Sequence, residues 1–213
     1  MISNSSNFRE INCGNLSPQA LYRSSHPICN GKQAKDIILA ANDAKIQTII
    51  NLSDNTLVLR QKIICCPWYR KMFEKNNVMA LNIDESFDVR DDKFNKKIRD
   101  GLLFMIEYEP PYLIHCEAGI DRTGFLAMLL EAFMGAKFDD ITKDYMLSFV
   151  EKDEYSLNDY KNGSKFIINV LSKIKGEKIN AGENLQRLSA KYLLEKIRLN
   201  SNEAEMLANR LMK

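Results

Sequence analysis

Residues 110–134 read PPYLIHCEAGIDRTGFLAMLLEAFM. Pro110 and Pro111 end whatever precedes them, and Tyr112-Leu113-Ile114 has the length and composition of a short buried strand. His115 to Asp121 then forms a tight turn, and Arg122-Thr123 opens an apolar helix that runs to about Met134. A strand, a turn of small residues and a helix start, in that order, gather main-chain N–H groups around one point. That point lies at the positive end of a helix dipole, so it cradles an anion. Cys116 stands at the floor of the cradle and Arg122, six residues later, at its rim.

These residue types at this spacing point to one chemistry. A free thiol is mostly protonated at neutral pH, whereas a cysteine at a helix N-terminus beside a guanidinium is expected to be a thiolate. The donors that stabilise the thiolate then bind the three oxygens of a phosphoryl group. Ala118 and Gly119 let the turn close, and Gly119 can take a positive φ. Arg122 offers a planar fork that holds two phosphoryl oxygens and follows them as charge shifts, which a lysine cannot match. Thr123 is placed to donate its hydroxyl to the sulfur, and His115 to order the loop rather than to act as a base. The expected phosphate-binding stretch is Cys116, Glu117, Ala118, Gly119, Ile120, Asp121 and Arg122. Cysteine-based hydrolysis of phosphate monoesters is the implied reaction. A bare C-x5-R proves little, but HCEAGIDRTG within a strand–turn–helix context is demanding.

Around this stretch the pattern alternates strands and helices. A short extended piece is expected at Ala20–Arg23, a helix from Gly31, a strand over Lys45–Leu52 and another over Val78–Ile83. Leu57 to Ile64 is helical in pattern, with Cys65-Cys66-Pro67 interrupting. An acidic loop from Asp84 to Asp92 leads into a helix capped by Asp91 or Asp92, with Phe94, Ile98, Leu102, Met105 and Ile106 on its apolar face. Gly135 ends the helix of the cradle, and Asp139 or Asp140 starts another. The remainder is helical, with turns expected near Asn162-Gly163 and Ala181-Gly182 and a last helix after Asn200. The fold class expected is α/β, a mainly parallel central sheet flanked by helices with a helical C-terminal portion. The chain is expected to form one domain over residues 1–213, with 161–213 packed on it as a helical extension. In such sheets ligands sit beyond the carboxyl ends of the strands, which puts Cys116 and Asp84 in one crevice.

Composition sets the outer bounds. Of 213 residues, 45% are apolar and 27% charged, as in a folded globular chain, and the net charge of +2 predicts no nucleic-acid partner. The charge is uneven, since residues 161–213 hold eleven Lys/Arg against five Asp/Glu. The five cysteines (Cys13, Cys29, Cys65, Cys66 and Cys116) show no metal-ligand spacing. There are two histidines, His26 and His115, and no paired His/Asp pattern, so neither metal nor other cofactor is expected. No apolar run is long enough to span a bilayer, and MISNSSNFRE lacks the apolar core of a signal peptide. A reducing, cytoplasmic setting is therefore expected. Nothing speaks to oligomeric state.

His115 to Gly124 resembles the signature loop of the protein-tyrosine-phosphatase superfamily. NFREINCGNLSPQALYRSSHP, DITKDYMLSF and YLLEKIRLNSNEAEMLANRL are similar to stretches of bacterial tyrosine and dual-specificity phosphatases. The resemblance implies the phosphotyrosine-phosphatase-like fold and a two-step mechanism without metal: phosphocysteine formation, then hydrolysis. That mechanism needs one carboxylic acid to protonate the leaving group and later activate water. Asp84, first after its strand and 32 residues before Cys116, occupies a position similar to the acid of small dual-specificity phosphatases. Asp88 and, from a neighbouring crevice, Asp54 are the other candidates. Arg23 and His26 in LYRSSHP border the crevice without an assigned role.

For substrate, phosphotyrosine or dual-specificity protein phosphatase stands first. An inositol phosphate or phosphoinositide phosphatase is the alternative, because Glu117-Ala118-Gly119 also resembles the loop of phosphatase-like phytases, although the loop holds no lysine. The reading from another class is a phosphate-binding pseudophosphatase, against which Cys116, Arg122 and Thr123 all argue.

Overall fold

The structure, a computed structural model, describes residues 6–28, 31–149, 157–180 and 182–213. Cys29 and Ala181 lie outside the described residues. Five strands form one sheet: β1 (Arg9–Glu10), β2 (Leu21–Ser24), β3 (Thr48–Asn51), β4 (Val78–Ala80) and β5 (Tyr112–His115). Their order is β1-β2-β5-β3-β4, with β1 antiparallel to β2 and every other pair parallel. The mainly parallel α/β sheet expected from the sequence is observed.

Side chains alternate across this sheet as the pleat requires. Leu21, Ile50, Tyr112 and Ile114 enter the larger core, and Tyr22, Ile49 and Leu113 the smaller one. The smaller face is covered by α1 (Gly31–Asp43), α2 (Thr56–Lys62) and α3 (Pro67–Glu74), which contribute Ala41, Leu59 and Tyr69. The larger is covered by α4 (Asp92–Glu107), α5 (Asp121–Phe133), α6 (Phe138–Met146), α7 (Leu157–Lys175), α8 (Leu185–Glu195) and α9 (Ser201–Leu211). Every residue of α5 from Arg122 to Ala132 is buried. A helix buried on all sides belongs inside a core, and α5, apolar from Gly124 to Leu130, lies between the sheet and α6 and α8.

Register decides where the site falls. Ser24, His115 and Asn51 lie side by side at the ends of β2, β5 and β3, and Ala80 pairs with Asn51 at the end of β4. The loops that follow these strands therefore emerge at one edge, and they carry His26, Cys116, Asp54 and Asp84. The C-terminal helices brace that edge. The Tyr192 hydroxyl of α8 lies 2.8 Å from the Val89 carbonyl in the acidic loop and 2.6 Å from Asn95 Oδ1 of α4. Arg99 of α4 meets Glu203 of α9 at 3.0 Å.

Of three local readings, one holds and two are corrected. The helical pattern of Leu57–Ile64 is broken at Cys65-Cys66-Pro67 as expected, and Pro67 then begins α3, where its missing N–H is no loss. Asn162-Gly163 is not a turn but the interior of α7. Gly163 is there for packing, because a Cβ on it would stand 2.0 Å from Met146 Sδ of α6. Before Ala20, where the sequence pattern offers no strand, Arg9–Glu10 pairs with β2. Gly135 does end its stretch with φ +83°, and Asn200 caps α9 with a capping box. Asp91 accepts from the Phe94 N–H at 2.8 Å and caps α4, worth about 1 kcal/mol.

Candidate active site

The loop between β5 and α5 is built from its outside. Its carbonyls are accounted for one by one. Glu117 O accepts from the His26 N–H at 3.0 Å, Ala118 O from Asn7 Nδ2 at 2.9 Å and Gly119 O from Arg23 Nη2 at 3.0 Å. Ile120 O accepts from the Gly124 N–H at 2.6 Å and lies 3.5 Å from Arg23 Nη2. With the carbonyls so engaged, the main-chain N–H groups of the loop remain. The Gly119 N–H donates to Cys116 Sγ at 3.3 Å, and those of Glu117, Ala118 and Ile120 have no acceptor among the described residues. Main-chain N–H groups left without protein acceptors just before a helix start are able to bind an anion.

Gly119 makes the turn possible on two counts. Its φ is +73°, and a Cβ there would stand 2.4 Å from the Ser24 carbonyl oxygen, so the loop packs directly on the end of β2. Cys116 is buried at 2% exposure beneath it.

Arg122 stands at the rim and reaches across to the acidic loop. Its Nη1 donates to Ile83 O at 3.0 Å and its Nη2 to Glu85 Oε1 at 3.2 Å, on either side of Asp84. The guanidinium thus joins the cradle to the loop after β4. Asp84 itself is exposed, and its carboxylate accepts from the Ser86 N–H at 2.8 Å and the Ser86 hydroxyl at 2.6 Å. Those two donors, with Arg122 and Lys97 nearby, hold Asp84 below the usual carboxylate range. Asp88 is also held low, by the Arg90 guanidinium at 2.6 Å, and points to that partner.

Asp54 has a different setting. Burial alone would raise its pKa, but His26 Nε2 at 2.6 Å, Lys62 Nζ at 2.8 Å and Asn51 Nδ2 at 3.0 Å outweigh it, and the carboxylate stays ionised. A carboxylate with three donors anchors a network better than it gives up a proton. His26 Nδ1 accepts from the Ile28 N–H at 3.2 Å, which leaves its Nε2 to donate to Asp54. His115 is fully buried, and desolvation, with His26 nearby, keeps it neutral. Its Nε2 meets the Tyr69 hydroxyl at 2.8 Å, at the end of β5. Thr123 Oγ1 is buried with no hydrogen-bond partner among the described residues, and Asp121 accepts from the Tyr145 hydroxyl at 3.2 Å.

The buttress behind the loop has almost no local signature. Arg23 is wholly buried, with Nη1 2.5 Å from Asp144 Oδ2, and Asp144 also takes Arg9 Nε at 2.8 Å. Burial works against the Asp144 charge, but the two guanidiniums overcome it and hold its pKa low. Asn7 and Asp144 fall within the stretches NFREINCGNLSPQALYRSSHP and DITKDYMLSF, but no role is legible for them there, and Tyr69 lies outside any motif. Arg23 had only its place in LYRSSHP as a signal. Cys13, Cys65, Cys66 and Cys116 are all free thiols. No helix among the described residues is long and apolar enough to cross a membrane.

No curated protein shows a significant match. Among solved structures, the core catalytic domain of the PP-IP phosphatase SIW14 from S. cerevisiae, in complex with citrate, is similar. It is 16% identical, with a TM-score of 0.44 over 80% of this chain and 93% of that one. A family model described as "Tyrosine phosphatase family" matches residues 2–213, nearly the whole sequence. The chain belongs to the tyrosine phosphatase family, and it is a phosphoric monoester hydrolase.

Proposed function

We propose that this phosphatase acts on phosphotyrosine or dual-specificity protein substrates through a phosphocysteine at Cys116. One observation carries the reading: the carbonyls of residues 117–120 are all engaged, while the N–H groups of Glu117, Ala118 and Ile120 have no acceptor among the described residues. In the first step the Cys116 sulfur attacks phosphorus, the ester oxygen leaves with a proton from Asp84, and Arg122 holds two of the three transferred oxygens. In the second, water attacks phosphorus, its proton passes to Asp84, and the S–P bond breaks to restore the sulfur. Thr123 Oγ1, buried and unpartnered, is available to donate to the departing sulfur. Glu85 yields its place on Arg122 to the substrate: its side chain is 82% exposed, and such surface ion pairs contribute at most about 1 kcal/mol. A bidentate phosphoryl contact in the cradle is stronger. The chain is read as a single domain over residues 1–213, working in a reducing cytoplasm.

A substrate panel tests the reading. Phosphotyrosine peptide is expected to turn over faster than phosphoserine peptide, phosphoinositide or phytate. Preference for phytate or phosphoinositide would move the assignment to the inositol-type alternative, and binding of phosphopeptide without any hydrolysis to the pseudophosphatase.

The acid has its own test. It must carry a proton to act, so kcat/KM for an alkyl phosphate falls as pH rises through the Asp84 pKa. Because Ser86 holds that pKa low, the fall begins on the acid side of the usual carboxylate value and continues through neutrality. Asp84→Asn is expected to flatten this limb and to lower the rate with a poor leaving group by about 10²-fold, sparing an activated aryl phosphate. Ser86→Ala should move the limb to higher pH. An unchanged alkyl phosphate rate in Asp84→Asn removes Asp84 from the role.

The buttress is tested by Arg23→Lys. A lysine can keep the charge beside Asp144 but cannot also reach Gly119 O. The expected result is a kcat/KM about tenfold lower and a matching rise in the inhibition constant of inorganic phosphate, since hydrogen bonds from charged groups contribute ~1.5–3 kcal/mol. Wild-type values for both would confine Arg23 to a packing role.

A further inference from the structure

The surplus of positive charge in residues 161–213 has no part in the cradle, and the fold concentrates some of it in one place. Lys196 and Arg198, in the turn between α8 and α9, face Lys93, Lys96 and Arg99 of α4 across a cleft of about 380 Å³. The three α4 residues fall at i, i+3 and i+6, which lines them along one side of the helix. The buried side chain of Ile197 lies between the two walls. Arg99 joins the walls, donating from Nε to Arg198 O at 3.1 Å and from Nη2 to Glu203 at 3.0 Å. The other four cations form no ion pair and no side-chain hydrogen bond among the described residues. That distinguishes them from Arg9, Arg23, Arg90, Arg122, Lys175 and Arg210, each of which has a carboxylate partner. One carboxylate, Asp92, lies on the wall beside them.

Four cations without an ion pair, set against the single carboxylate Asp92, leave the concavity with a positive surplus, and the field they sum to attracts a ligand with several negative charges. The shape narrows the choice. The volume is that of a small-molecule site, and the chain's net charge of +2 does not suit a nucleic acid. Lys93 also lines the adjoining cavity that contains Asp84, so the cleft opens beside the acidic loop. We infer that this cleft is a second anion site, which takes a compact, multiply phosphorylated ligand, either free or as a lipid headgroup. It lies apart from Cys116 and Arg122, so it stands or falls independently of the cysteine mechanism.

The full chain carrying Cys116→Ser, titrated calorimetrically with myo-inositol hexakisphosphate, gives the reference affinity. Adding Lys96→Glu and Lys196→Glu is expected to weaken binding at least tenfold and to reduce its salt dependence. The same pair with Cys116 intact should hydrolyse an aryl phosphate within twofold of wild type. Should the reversal variant not fold, Lys96→Gln with Lys196→Gln is expected to weaken binding at least threefold at an unaltered Tm. Phosphatidylcholine vesicles with and without phosphatidylinositol bisphosphate identify the source: capture that the reversal abolishes marks a lipid headgroup, and binding of free hexakisphosphate alone marks a soluble ligand. Hexakisphosphate affinity unaffected by either pair overturns the inference.

Discussion

Cys116→Ser is expected to lower kcat/KM for an aryl phosphate by about 10⁴-fold or more, with Tm within a few degrees of wild type. The size of the effect follows from the role: without the sulfur no covalent intermediate forms, and a serine hydroxyl at the same place is a far poorer attacker. The small cost in stability follows from the setting. Cys116 is one small buried side chain, and the loop above it is held by Asn7, Arg23 and the His26 N–H rather than by the sulfur. Binding of inorganic phosphate should survive, because the free N–H groups and Arg122 remain. Hydrolysis that persists in the variant at wild-type rates would remove Cys116 from the reaction.

Arg122→Lys is expected to cost about 10³-fold in kcat/KM, with loss in both kcat and KM. One lysine nitrogen cannot hold two phosphoryl oxygens in a plane, and it cannot at the same time reach Ile83 O, which Arg122 Nη1 does at 3.0 Å. The variant therefore loosens the cradle and the loop carrying Asp84 together. Kinetics on an alkyl and an activated aryl phosphate separate the two losses: the alkyl substrate, which needs the acid, should suffer more. Equal losses would mean that Arg122 serves the phosphate alone.

The centre of the fold was legible because its signals are local. The β5 residues, the glycine that must adopt positive φ and pack against Ser24, and the largely apolar α5 each state their conformation within a few positions. What holds the cradle open was not legible, because it is brought there by strand pairing. Arg23 reaches Gly119 across 96 positions and Asn7 reaches Ala118 across 111, and both depend on β2 lying beside β5. Gly163 misled for a related reason. It is a breaker in isolation, and only the α6–α7 contact reveals the use made of it. For the acid, sequence supplied the loop and its candidates. The partners that distinguish them, Ser86 for Asp84, Arg90 for Asp88 and the His26–Lys62–Asn51 set for Asp54, are matters of side-chain direction. The basic surplus of the C-terminal portion was plain in the composition, but its opposition to α4 across a cleft needed the packing of α8 and α9.

The central claim is that phosphorus passes through the sulfur of residue 116. Rapid acid quenching of the wild-type chain during turnover of an aryl phosphate, followed by peptide mass spectrometry, measures this directly. The expected result is a phosphorylated peptide spanning residues 112–122, modified at Cys116 and absent from Cys116→Ser. Steady turnover with no phosphate on that peptide at any quench time, in conditions where an acid-stable control phosphothiol survives, would contradict it.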